Sequence, residues 1–164
     1  MALGRVLVAV HQNKWILKMV GDVRMTLCNT IDYCLQSMYD KAQFDEVIVD
    51  LTETEGIDST SLGLLAKLSI KTRQRVGKVP TIVSTNADIT RTLESMGFNE
   101  QIFRIISEKS NHPDELLEVP SQELCEEHAR KKVLEAHRIL MELSDANKGK
   151  FKDLVTELEK VSSL

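Results

Sequence analysis

The stretch Val47 to Leu68, VIVDLTETEGIDSTSLGLLAKL, decides how the rest of the chain is read. It opens on Val47, Ile48, Val49 and Leu51, a continuous run of the kind that a central strand buried on both faces requires. The run ends at Asp50 and Thr52, where a polar, acidic loop is expected. That loop leads into Asp58, Ser59 and Thr60, followed by Leu62, Leu64, Leu65, Leu68 and Ile70, which read as a helix ending before Gly77. Two roles fit the Asp-Ser-Thr triplet. Any of the three can accept a hydrogen bond from an unpaired N–H at the helix start, which needs no function. Alternatively, an exposed hydroxyl at a helix N-terminus is a good phosphoacceptor, because free N–H groups and the helix dipole tolerate a phosphate of about −1.5 to −2 charge.

Working outward, Arg5 to Val10 and Trp15 to Val20 are short apolar runs separated by His11, Gln12, Asn13 and Lys14, which suggests an antiparallel pair joined by a turn. Between Thr26 and Tyr39, the residues Leu27, Ile31, Cys34, Leu35 and Met38 recur at helical spacing. Downstream, Thr81 to Ser84 predict a strand. A helix follows, capped by Asn86 or Asp88 and stopped at Gly97, and Ile102 to Ile106 predict a last strand. Strands alternating with helices imply parallel pairing through right-handed crossovers. The expected fold class is α/β, a mixed sheet of about five strands with packed helices.

Beyond Ser107 the character changes. His112, Pro113 and Pro120 break regular elements, Gln122 to Leu143 read as one long charged helix, and a further helix begins near Lys148. The latter carries Phe151, Leu154, Val155, Leu158 and Val161 as an amphipathic stripe, which must be buried in this chain or against a partner. The expected organisation is therefore a domain at 1–107 and a C-terminal helical extension at 108–164. The extension either folds back over apolar surface or serves as a partner-specific or self-association element.

Composition narrows the function. The 164 residues carry a net charge of −4 and only 4% aromatics, so neither a positive field for nucleic acid or anionic membrane nor a stacking platform for bases is expected. Arg130, Lys131 and Lys132 are flanked by Glu126, Glu127 and Glu135 and read as a solvated face. Cys28, Cys34 and Cys125 show no CxxC and read as buried or partly buried thiols. Val6 to Val10 is too short for a signal-peptide core, and a cytoplasmic location is expected. An enzyme is not expected: GxSxG, Walker A, GxGxxG and HExxH are missing, and His11, His112, His128 and His137 lack ligand spacing. Neither a metal nor a cofactor is called for.

Asp58-Ser59-Thr60-Ser61-Leu62-Gly63 after VIVDL resembles the D-S-[ST]-G-L-G signature of STAS-domain anti-sigma-factor antagonists, and the resemblance covers roughly residues 5 to 106. Val20-Gly21-Asp22 looks like the family's turn after its second strand, and Ser84 to Phe98 looks like its strand and third helix. The acidic loop, STNADITRTLESMGF and the C-terminal helices look like the antagonists paired with response-regulator PP2C-type phosphatases in Gram-negative bacteria. Two positions depart from the pattern: Ser61 stands where glycine is expected, and Arg24 where an acidic residue is usual.

The resemblance implies a phosphoprotein in a partner-switching pathway of transcription regulation and stress response. Ser59 would be phosphorylated by a serine kinase or anti-sigma factor and reset by a PP2C-type phosphatase, with Thr60 a second, lesser acceptor. Asp58, Thr60, Ser61, Leu62 and Gly63, with Asp22 and Arg24, would form the partner contact. The alternative is a non-phosphorylated STAS scaffold or a ligand-sensing module, since fold does not fix function.

Overall fold

The computed structural model describes residues 3–41, 43–108, 116–123 and 125–162; His112 and Pro113 lie outside the described residues. Strands β1 (Arg5–His11) and β2 (Lys14–Val23) form the expected antiparallel hairpin. Its turn is tighter than the sequence suggested: only Gln12 and Asn13 lie between the strands, both at positive φ (51° and 63°), as a two-residue hairpin turn that follows the strand twist demands.

Strand β3 (Glu46–Ile57) runs parallel to β2, and β4 (Thr81–Val83) and β5 (Arg104–Ile106) continue the parallel array. The sheet order is β5-β4-β3-β2-β1-β6. The acidic segment expected as a loop is instead the second half of β3. Its backbone stays paired with β2 as far as Val23 opposite Ile57, while Glu53 and Glu55 point to solvent and Thr54 is buried, donating to the Met19 carbonyl at 2.8 Å. Polarity signalled a loop, but the alternation in TETE is that of a strand with one wet face. Likewise Val20-Gly21-Asp22 is not a turn but lies within β2. A register shift falls between Gly21 and Asp22, and Gly21 takes φ 81°, a conformation that glycine adopts without strain.

The sixth strand, β6 (Leu117–Glu118), lies in a segment expected to be irregular. It pairs antiparallel with β1 over two residues, short enough to fit before Pro120. The connector beyond it is tied down by Val119 N–H to the Val6 carbonyl (2.8 Å), Gln122 N–H to Thr30 Oγ1 (3.1 Å) and Asn29 Nδ2 to the Glu123 carbonyl (2.5 Å).

Helix α1 (Cys28–Lys41) follows a 3-10 turn at Met25–Leu27, and helices α2 (Ser59–Val76) and α3 (Ala87–Ser95) follow β3 and β4. Trp15, Leu17, Met19, Val47, Val49, Leu51 and Ile82 share the main core with Ile31, Leu35, Leu65, Leu68 and Leu93 of these helices. Ile16, Ile48 and Val83 form a second, smaller cluster with the half-buried Ile106 and Leu116. Helix α2 ends at Gly77 with φ 72°, and Asn86 caps α3 by accepting from the Asp88 N–H.

The chain finishes with α4 (Glu126–Leu143) and α5 (Asp145–Ser162), which begin four residues later and three residues earlier than the sequence suggested. Cys125 caps α4 through its sulfur and is exposed, whereas Cys28 and Cys34 are buried. Burial raises the Cys28 thiol and pushes Cys34 up to about 12. The pair α4–α5 folds back onto the domain: Leu140 and Phe151 belong to the main core. Of the α5 stripe, Phe151 and Val155 are buried and Leu158 is half-buried, but Leu154 and Val161 are 41% and 42% exposed. No described helix is long and apolar enough to cross a membrane.

Candidate functional site

The start of α2 is built around Asp58. Its backbone is extended, and its Oδ1 accepts from the Ser61 N–H at 2.9 Å, the geometry of an N-cap. Its Oδ2 accepts from the Met25 N–H at 2.6 Å, and its own N–H donates to the Val23 carbonyl at 3.1 Å. The carboxylate thus joins the 3-10 turn to the first turn of α2, and the Asp58 backbone ties both to the end of β2. Of the three capping candidates in the sequence, Asp58 takes the role, and the Ser59 hydroxyl is left for another partner.

That partner is His137, which carried no role in the sequence reading. Ser59 Oγ lies 2.8 Å from His137 Nε2. The other ring nitrogen, Nδ1, is 2.7 Å from the Val133 carbonyl, which can only accept, so in the neutral imidazole Nδ1 carries the proton and Nε2 accepts from the Ser59 hydroxyl. His137 is 2% exposed and stands edge-on to Phe151 of α5, with ring centres 4.9 Å apart. Ser59 is therefore half-buried beneath α4, not an open hydroxyl at a free helix end.

The other expected contact residues divide in the same way. Thr60, Ser61 and Leu62 are buried, at 4%, 0% and 1% exposure. Ser61 Oγ has no hydrogen-bond partner among the described residues, so the side chain standing where glycine was expected is directed inward. Gly63 lies under α4: a Cβ there would come within 2.4 Å of the Ala136 carbonyl oxygen and 2.6 Å of its Cβ. Asp22 and Arg24 lie beside Asp58, with Arg24 Nε 2.9 Å from both Asp22 carboxylate oxygens.

Ser59, Gly63 and Lys67 recur every fourth residue and so form one stripe of α2. Helix α4 meets it in reverse order with His137, Ala136 and Glu135. At the far end Lys67 Nζ reaches Asp32 of α1 at 2.9 Å and Glu135 at 2.7 Å, and Lys132 also pairs with Asp32. Lys132, expected on a solvated face, thus clasps α1, whereas Arg130 and Lys131 pair along the helix with Glu126 and Glu127.

Burial pushes the Asp32 carboxyl up, but the two lysines outweigh it and hold the group below the ordinary carboxylate range. Burial pulls Lys67 down, yet its hydrogen bonds to Glu135 and Asp32 leave it raised. The contribution of Asp32 is therefore present above about pH 4 and fades as pH falls through its depressed folded value, while that of Lys67 is present up to about pH 10 and fades above it. Asp32→Asn is expected to cost about 2 kcal/mol at neutral pH. It should also flatten the loss of stability below about pH 4, as read from urea midpoints across the acid range. Midpoints that match the unsubstituted chain at every pH would show that the clasp holds nothing.

Residues 5–111 match the STAS domain family model, and the chain belongs to that family. Its fold is similar to that of the anti-sigma factor antagonist SpoIIAA in its unphosphorylated form, with a TM-score of 0.52 at 10% identity, covering 64% of this chain and 89% of that one. An uncharacterized protein with a SpoIIAA-like fold from Shewanella loihica is also similar, with a TM-score of 0.48 at 16% identity over 66% of this chain and 91% of that one. No curated protein matches the sequence.

Proposed function

We propose that the chain is an anti-sigma-factor antagonist, a non-enzymatic phospho-switch whose state is set at Ser59. The observation that carries this reading is the division of labour at the start of α2. Asp58 alone caps the helix, so the adjoining Ser59 hydroxyl, in the register of the family's phosphoserine, is spared from capping α2 and bonds His137 of α4 instead. Membership of the STAS family and the likeness in fold to an antagonist support the reading.

In the proposed reaction Ser59 Oγ attacks the γ-phosphorus of ATP on a serine kinase or anti-sigma factor. The Oγ–P bond forms, the bond to ADP breaks and the hydroxyl proton leaves to a base. A PP2C-type phosphatase reverses the state by adding water to phosphorus and releasing inorganic phosphate. Between these events the unmodified chain binds the anti-sigma factor in the cytoplasm. The added charge at the start of α2 falls where a partner must close, which is enough to exchange partners without refolding the domain.

Incubation with the kinase and ATP is expected to add one phosphate, on Ser59, and Ser59→Ala to abolish it, as read by mass spectrometry of peptides. Incorporation mainly on Thr52, Thr54 or Ser61, or undiminished incorporation in Ser59→Ala, would overturn the assignment.

A further inference from the structure

We infer that α4 is a built-in cover over the switch, so that a kinase reaches Ser59 only when α4 lifts from α2. The inference rests on the reading of Ser59 as the phosphoacceptor, but its geometry stands by itself. Three separate contacts hold α4 along the Ser59–Gly63–Lys67 stripe. His137 takes the Ser59 hydroxyl at one end, Ala136 lies against Gly63 in the middle, and the clasp of Lys132 and Glu135 with Asp32 and Lys67 closes the other end.

A kinase must bring the γ-phosphorus in line with Ser59 Oγ, on a side of the helix open to its own active site. In the seated state the hydroxyl is committed to His137 Nε2, and the imidazole itself is packed behind Phe151 and shut off from solvent. The ring cannot swing aside while α5 backs it, so the unit that must move is α4 with α5. The cover is also a latch. A phosphate on Oγ brings three oxygens into a space spanned by one 2.8 Å hydrogen bond, so the modified serine does not reseat α4 in this register. Phosphorylation would then hold the cover open and leave the α2 stripe available to the next partner.

This arrangement also explains the composition of the stripe. Gly63 supplies no apolar area to a partner, but it lets the backbone of α4 approach α2 closely. Ser59 and Lys67 on either side are polar groups satisfied by α4 residues, so the face is matched to this helix while it is seated.

Accessibility can be read without any kinase by replacing Ser59 with cysteine in the full chain carrying Cys125→Ser, which keeps an N-cap on α4 and removes the exposed native thiol. Dithionitrobenzoate is the probe. Ala136→Leu, which adds bulk on the α4 side of the Gly63 contact, is expected to raise the labelling rate of the introduced thiol by about tenfold or more, and Lys132→Ala, which removes the Lys132–Asp32 pair of the clasp and leaves the pairs of Lys67, by a smaller factor. The buried Cys28 and Cys34 report global unfolding in the same experiment: should they label together with the introduced thiol in Ala136→Leu, the Lys132→Ala variant decides. Equal labelling rates in the parent and in both folded variants would overturn the cover. The same two substitutions on the Ser59 background should speed phosphate incorporation. Faster thiol labelling without any phosphate on Ser59 would leave the cover standing and sink the phospho-switch. Phosphate incorporation at one rate in all three chains would do the reverse.

Discussion

Gly63→Val is expected to cost about 3 kcal/mol and to lower the melting temperature by about 6–12 °C. The position is a helical glycine inside α2, where an alanine would ordinarily be favoured by up to about 1 kcal/mol, so propensity argues for the opposite sign. Packing decides. Any Cβ would stand 2.4 Å from a backbone oxygen of Ala136, and a backbone cannot rotate out of the way as a side-chain end can. The two helices must separate, which strips the Ser59–His137 hydrogen bond and loosens Leu140 and Phe151 from the core. Thermal unfolding by circular dichroism, with binding of a hydrophobic dye, measures both consequences. A valine variant that melts with the wild type and binds no more dye would show that α4 does not rest on Gly63.

Most of the architecture is legible in the sequence because its signals are local. The β-branched run at Val47–Val49, the helical spacing of Ile31, Leu35 and Met38, and the capping chemistry of Asn86 and Gly97 each act within one element, and each element is where its pattern put it. What was hidden depends on pairing across the chain. The Thr52–Glu55 segment is polar by composition, and its short alternation is realised as a strand where β2 lies beside it. Strand β6 exists only because β1 offers an unpaired edge. Histidine spacing, which bears on metal ligation, gives His137 no role. A signal was nevertheless present: His137 adjoins Ala136 and precedes Leu140 by three, which places an imidazole on the buried face of an otherwise charged helix. The four-residue spacing of Ser59, Gly63 and Lys67 was a second signal, since a small residue between two polar ones on a helix face marks a place where another backbone comes close.

Phe151→Ala should be the most damaging single change in the C-terminal helices, at about 3–5 kcal/mol. The ring is 6% exposed, joins the main core and braces the His137 imidazole that holds the Ser59 hydroxyl. Truncation removes its apolar area and leaves a cavity between α4 and the domain, and the imidazole loses its aromatic edge contact as well. Leu154, one turn further along the same stripe, is the matched control. It is 41% exposed, so Leu154→Ala is expected to stay within about 0.5 kcal/mol of wild type. Urea unfolding of the two variants, run at several protein concentrations, separates the possible seats of the stripe. A large loss for Phe151→Ala alone, independent of concentration, is the outcome required by a helix whose stripe is buried on one edge within its own chain. Comparable losses for both variants that deepen on dilution would instead place Leu154 in a contact with a second copy, and the folded-back pair would then be only half of the assembly that covers Ser59.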